Sequence, residues 1–138
     1  MLKKVKLVNW LPAVFWALLI FFQSSNPSPP GADLAPDYVL HFFAYGILGT
    51  ALLFGISGGL GPFLKTFLSW RQAALAAILS ILYGFSDEWH QSFIPSRHSS
   101  WGDILADSLG AICFILFFML WKVFKESRKR DSLTLMLL

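Results

Sequence analysis

The sequence predicts an all-α polytopic membrane protein, a four-transmembrane-helix bundle with both termini in the cytoplasm (N-in/C-in). Three observations lead there. The chain of 138 residues is 56% hydrophobic and 14% charged, with a mean hydropathy of +0.61, more apolar than a soluble domain of this size can hide in its core. Its apolar residues fall into long stretches separated by turn-forming residues. Its basic and acidic residues occupy alternate connections, which orients the stretches across a bilayer.

The first stretch runs from Leu7 to Phe22. Pro12 stands near its start, where a missing N–H costs little, and Gln23-Ser24-Ser25-Asn26-Pro27 ends it. Lysines precede it, so a cleaved signal peptide is the rival reading. Ser28-Pro29-Pro30-Gly31 offers no small-x-small cleavage site, which favours a retained helix. The second stretch, Tyr38 to Ile56, is long enough to cross hydrocarbon at about 1.5 Å per residue. It ends in the turn Gly55-Ile56-Ser57-Gly58-Gly59-Leu60-Gly61-Pro62, after which Phe63 to Trp70, bounded by Lys65 and Arg71, reads as a connector at the inner surface.

The third span runs from near Gln72 to about Gln91. Its uncharged, mostly apolar part, Ala73 to Phe85, is too short to cross alone, so the helix must carry polar residues into the membrane or the bilayer must thin. The fourth span, Ile104 to Phe124, is long enough despite Asp107, and Trp121-Lys122 leads into a basic tail. Residues 1–130 then form one transmembrane domain, and 131–138 a short C-terminal tail. Small residues at Gly46/Gly49, Ala73/Ala77 and Ala106/Gly110 permit close helix approach.

Lys3, Lys4 and Lys6, then Lys65 and Arg71, then Lys122 through Arg130 flank the stretches at the two termini and the second-to-third connection. Asp33, Asp37, Asp87, Glu88 and Asp103 lie in or beside the other two connections, so the positive-inside rule puts both ends inside, as an even number of spans requires. The net charge of +3 does not indicate a nucleic-acid partner, because the basic clusters lack aromatic interleaving and any recognition motif. Cys113 is the single cysteine, which excludes a disulfide framework and a cysteine metal cluster and leaves a small core or lipid-facing residue.

Within the second span Asp37, His41 and Tyr45 are spaced by four and share one helix face. Tyr83, Asp87 and Gln91 repeat the spacing in the third, with Glu88 beside them, and Asp103 and Asp107 open the fourth. Three polar stripes therefore point to one layer at the outer end. An unpaired ionised group near the bilayer centre costs about 2.5–3.5 kcal/mol on insertion scales, so these residues should face the bundle interior and find partners. Asp107 needs one most, and His41, Arg97 or His98 can supply it. An Arg97–carboxylate pair would fold the loop Phe93-Ile94-Pro95-Ser96-Arg97-His98-Ser99-Ser100 back over the mouth.

Two chemistries stay open. A metal site can be drawn from His41, His90, Asp87, Glu88 and Asp103, but no stretch has the spacing of a known zinc motif, so no metal ligand is assigned and the cofactor is left unknown. A general acid/base pair of one buried carboxylate and a histidine fits equally well. Ser86, Ser99 and Ser100 lack any elbow or triad signature as nucleophiles. The bland alternative is polar glue that locks helices together. Against it stands the quantity of titratable chemistry in one layer.

Tyr83-Gly84-Phe85-Ser86-Asp87-Glu88-Trp89-His90-Gln91-Ser92-Phe93-Ile94-Pro95-Ser96-Arg97, followed by Asp103 and Gly110, resembles the signature of the VanZ-like membrane proteins, and Asp37 to Tyr45 resembles that family's upstream motif. The resemblance implies a multi-pass protein of the bacterial inner membrane, of a type whose namesake is associated with low-level teicoplanin resistance and which has no settled biochemical activity. Carried over by position, the motif residues are Asp37, His41, Tyr45, Asp87, Glu88, Gln91, Pro95, Arg97, Asp103 and Gly110. Asp107 departs from the pattern, since asparagine often fills that place.

Teicoplanin acts on lipid-linked wall precursors outside the membrane, which agrees with the outer location derived from charge. The expected partner is a membrane lipid or a lipid-linked cell-wall precursor with a phosphate headgroup, and oligomeric state is left open. His41, Asp87, Glu88 and Asp103 are the candidate catalytic residues. Asp37, Tyr45, Gln91, Arg97 and Asp107 are the candidates for substrate binding. A non-enzymatic accessory protein is the alternative. A small transporter ranks below both, because four helices are few for alternating access and the two halves of the chain show no repeat. Cysteines introduced at Ser28 or Ser99 in a Cys113→Ala background should react with an impermeant maleimide from outside intact cells, and those at Ser57 or Ser127 should not; reversed labelling would invert the assigned orientation.

Overall fold

Proline and glycine set the helix ends, as their missing donor and missing Cβ dictate. In the computed structural model the described residues are 6–65 and 68–136, and among them all regular structure is helical. Lys3 and Lys4 lie outside the described residues, as do the side chains of Lys65, Lys129 and Arg130. A 3-10 turn, Leu7–Trp10, leads into α1, Leu11–Ser24, with Pro12 in its first turn. Pro36 caps α2, Asp37–Ser57, which ends where Gly58 takes a φ of 94° and Gly59 one of 92°. Both glycines sit in the left-handed region that other residues avoid.

The glycine-rich run is not wholly a turn, because α3, Leu60–Lys65, begins inside it. A reciprocal capping box between Ser69 and Gln72 then starts α4, Trp70–Gln91. The fourth long helix, α5, runs unbroken from Trp101 to Met136, past both Phe124 and the expected start of a tail at residue 131. Lys, Arg and Glu after Trp121 are good helix formers, and nothing between 121 and 136 interrupts them.

α2 and α5 make the most extensive contact and run in the same direction, with Phe42 opposite Gly110 and Gly46 opposite Phe114. α4 runs antiparallel to both, since Glu88 near its end meets His41 near the start of α2. α1 is antiparallel to α2: Trp10 lies against Gly55, and the Trp16 indole N–H donates to the Ala44 carbonyl at 2.8 Å. At the far end, Leu53, Phe63, Leu68, Ala73, Ala76, Ile115 and Met119 form an apolar core. The opposite end, where α1 and α4 finish and α2 and α5 begin, holds His41 and the buried carboxylates Asp87, Glu88, Asp103 and Asp107.

The exterior is apolar. Val14, Phe15, Leu18 and Phe22 on α1, and Leu109, Phe117, Leu120 and Phe124 on α5, are exposed, and such rows belong against lipid rather than water. Leu7–Ser24, Asp37–Ser57 and Trp101–Arg128 are long and apolar enough to cross a membrane. α4 has the length, 22 residues, but its mean hydropathy is held down by Ser80, Asp87, Glu88 and Gln91. All four of these are buried, while Leu75, Ile78, Leu82 and Phe85 form an exposed apolar row along the same helix.

Small residues decide how closely α2 and α5 approach. A Cβ at Gly110 would run into the Phe42 carbonyl, and one at Gly49 would stand 3.2 Å from the Ala111 Cα. Gly110→Ala should therefore force α2 and α5 apart and destabilise the protein by about 1–3 kcal/mol, read as a lowered unfolding midpoint in detergent. Unchanged stability would show that the helices do not meet this closely.

Candidate functional site

Helix periodicity carries the polar stripes inward, and tertiary packing brings three of them together. His41 on α2, Asp87, Glu88 and Gln91 on α4, and Asp103 and Asp107 on α5 are all buried, and Tyr45 is 1% exposed below them. The His41 Nδ1 lies 2.9 Å from Asp107 Oδ1. The same nitrogen is 3.8 Å from Glu88 Oε1, and Nε2 is 3.8 Å from Asp37 Oδ1. One imidazole thus faces carboxylates on both nitrogens.

Of the three partners the sequence offers Asp107, His41 is the one it meets. Arg97 is turned elsewhere: its Nη2 and Nε donate to Gln91 Oε1 at 2.6 and 3.2 Å, and Nη2 is 4.0 Å from Asp37 Oδ2. The loop does fold back over the mouth, held mainly through a glutamine. Ser96 has a φ of 66°, a left-handed conformation that costs a non-glycine residue about 1–3 kcal/mol, and it turns the chain just before Arg97. His98 is exposed.

Gln91 is the hub of a second chain of contacts. Its Nε2 donates to Asp87 Oδ2 at 3.1 Å and to Ser24 Oγ at 3.4 Å, while its Oε1 accepts from Arg97. The Ser100 backbone N–H donates to Glu88 Oε2 at 2.8 Å, tying the α4–α5 loop to the cluster. His90, one of the metal candidates drawn from the sequence, lies outside it. Its Nε2 is 2.9 Å from Ser25 Oγ and its ring stacks on Phe21 at 4.9 Å. Tyr83 also turns away, donating to the Ala17 carbonyl at 2.7 Å. Cys113 is exposed, in agreement with the lipid-facing alternative.

A cavity of about 400 Å³ opens beside the cluster. Trp16, Leu19, Ile20, Leu40 and Ala44 form an apolar wall, and Gln23, Asp37, His41, Asp87 and Arg97 form the polar end. Pro29, Pro30 and Leu34 of the 29–34 segment also line it. Glu88, Asp103 and Asp107 are not in its lining, so His41 is where the cavity meets the buried carboxylates of α5.

Sequence reasoning missed two contributors. α1 supplies a cavity wall, and only Gln23 and Ser24, polar residues ending an apolar run, hint at it. Gly84 lets Asp107 and Tyr45 come close, because a Cβ there would stand 2.8 Å from Asp107 Oδ2 and 3.3 Å from a Tyr45 ring carbon. It is visible in sequence only as a glycine inside a helical stretch.

Chemically, a histidine oriented by a buried aspartate is a proton-transfer unit, since the carboxylate selects which ring nitrogen holds the proton and leaves the other available. The described residues also contain two groups able to hold a cation, His41 with Glu88 and Asp107, and His41 with Asp37 and Asp103. A family model described as VanZ/LLP1 matches residues 8–122, a range that contains every residue of the cluster. No curated protein and no solved structure matches the chain.

Breaking one side of a buried ion pair leaves the other uncompensated, at a cost of about 3–5 kcal/mol. His41→Ala alone should be destabilising on that scale, and His41→Ala/Asp107→Ala should be more stable than the sum of the two single changes. Strict additivity in a double-mutant cycle would mean that the two groups do not interact.

Proposed function

We propose, for a chain that belongs to the VanZ/LLP1 family, that this multi-pass membrane protein binds the headgroup of a lipid-linked, phosphate-containing envelope substrate at the outer face of the bacterial inner membrane, with His41 and its carboxylates as proton-handling groups. The observation that carries this is the two-faced cavity: an apolar wall continuous with a charged end, at the end of the bundle where the polar stripes converge. A hydrocarbon tail lies against Trp16, Leu19 and Leu40, and the headgroup reaches Arg97 and His41.

That placement takes the chain to cross the membrane four times. α4 buries its polar residues and exposes Leu75, Ile78, Leu82 and Phe85, so a low mean hydropathy coexists with a lipid-compatible outer face. The alternating directions of α1, α2, α4 and α5 suit four crossings, and the distribution of lysine and arginine favours the acid-rich end as the outer one. The link to glycopeptide resistance comes only from the family resemblance, as an expectation about where a lipid-linked wall precursor would be met.

A second reading is favoured by one observation. The His41–Asp107 contact joins α2 to α5, and the Ser100–Glu88 contact anchors the loop, so the same groups would serve an accessory protein that binds lipid without turnover. Incubation of the purified protein with undecaprenyl phosphate, undecaprenyl pyrophosphate or lipid II, followed by mass spectrometry, separates the two. Selective retention of one of these lipids, weakened tenfold or more by Arg97→Ala, is expected; charge-assisted hydrogen bonds of about 1.5–3 kcal/mol set that scale. Product formed by the unmodified protein and abolished by both Asp87→Glu and Glu88→Asp would identify an enzyme, because catalysis demands tighter placement than charge alone. No retention and no product would reject the headgroup site.

A further inference from the structure

His41, Glu88 and Asp107 each present one ligand atom, and those atoms all lie within 4.8 Å of one another. We infer that they form a buried binding site for a divalent first-row transition ion, shared by α2, α4 and α5, beside the lipid cavity. The observed separations, 2.9 Å from His41 Nδ1 to Asp107 Oδ1 and 3.8 Å from the same nitrogen to Glu88 Oε1, bracket the ligand-to-ligand spacing of roughly 3–3.5 Å that metal–ligand bonds of about 2.0–2.2 Å produce.

An acidic cluster alone does not make a site, and here a second observation points to a ligand. Glu88 is 2% exposed and its Oε1 has no hydrogen-bond partner among the described residues. Its other oxygen is held by the Ser100 N–H at 2.8 Å, which leaves Oε1 aimed at His41. Asp107 Oδ2 and the Tyr45 hydroxyl are likewise buried without hydrogen-bond partners. Buried polar atoms in a dry interior are normally satisfied, so the Glu88 oxygen, unpaired and 3.8 Å from the His41 ring nitrogen, is a ligand atom suited to a cation.

Charge leads to the same conclusion. Glu88 and Asp107 face His41 directly, Asp37 approaches its other nitrogen, and Arg97 is engaged at the mouth with Gln91 and Asp37. One imidazole does not offset the surrounding carboxylates, whereas a divalent ion does. The donor set of one nitrogen with carboxylate oxygens suits zinc or manganese better than calcium, which takes oxygen ligands alone. Binding requires Nδ1 to give up its hydrogen bond to Asp107 and any proton it carries, so uptake of the ion releases protons.

The ion deepens the headgroup reading, and rests on it, only in one respect: an ion held behind His41 offsets carboxylate charge that would otherwise repel a phosphate at the polar end of the cavity. The site itself is tested without lipid. Full-length protein, stripped with chelator and reconstituted in nanodiscs, is titrated with Zn²⁺ or Mn²⁺ by calorimetry in buffers of different ionisation enthalpy and by metal analysis after dialysis. About one ion per chain is expected, with proton release and with at least tenfold weaker binding in Glu88→Gln and Asp107→Asn, whereas His90→Ala should bind as the unmodified protein does.

Nitrogen coupling in the pulsed electron paramagnetic resonance spectrum of the bound Mn²⁺ reports the imidazole in the unmodified protein, whatever the folding of the variants. Absence of stoichiometric uptake, uptake unaltered in folded Glu88→Gln and Asp107→Asn, or bound Mn²⁺ without nitrogen coupling would overturn the assignment. Headgroup lipid retained equally by the ion-loaded and the stripped protein would overturn the link between ion and lipid, while leaving the headgroup reading standing.

Discussion

Charge that cannot reach water must be matched inside, and the contact between His41 and Asp107 at 2.9 Å is where this protein meets that demand. The exposed rows on α1, α4 and α5 are apolar, so the polar residues of these helices have nowhere to go but the centre of the bundle. Once α2 and α5 are joined there, α4 has to present Glu88 to the same imidazole, and the loop following α4 has to return its Ser100 N–H to Glu88. The arrangement of one end of the molecule follows from satisfying one histidine and its carboxylates.

Close approach makes that arrangement attainable. Gly110 meets the Phe42 carbonyl and Gly49 the Ala111 backbone, so α2 and α5 pack nearly backbone to backbone. Gly84 does the same on the α4 side, admitting Asp107 and Tyr45 into one layer. Without hydrophobic drive between helices in lipid, van der Waals contact of this kind and interhelical hydrogen bonds carry the association. The far end, with Leu53, Phe63, Ile115 and Met119, is packed conventionally and leaves the polar end to specialise.

The cavity follows from a different compromise. α1 is held to α2 by the Trp16–Ala44 hydrogen bond and to α4 by the Tyr83–Ala17 one, and Ile20 packs with Tyr45 and Leu48, while Leu19 and Gln23 beside it face the cavity. An apolar surface that faces a charged mouth is an unusual thing to leave unpacked in a small bundle. Arg97, held by Gln91 just after the left-handed turn at Ser96, stands at the polar end of the cavity.

Much of this is written in the chain itself. Composition and the long apolar runs determine a helical membrane protein, because exposed apolar length has no other stable environment. Spacing by four places Asp37, His41 and Tyr45, or Asp87 and Gln91, on common faces, because the α-helix repeats at about 3.6 residues per turn. The motif around Asp87 and Glu88 carries the family, and the model match over residues 8–122 agrees with it. What one chain's local pattern does not contain is which face meets which. That Asp107 takes His41 and not Arg97, that Arg97 takes Gln91, that His90 and Tyr83 turn to α1, and that α1 walls a cavity were decided by tertiary packing. The physical reason is that, apart from Arg97 and Gln91, which lie 6 positions apart across the end of α4, these pairings join residues 65 or 66 positions apart, and only the crossing of whole helices, set by glycines and by buried charge, brings them within reach.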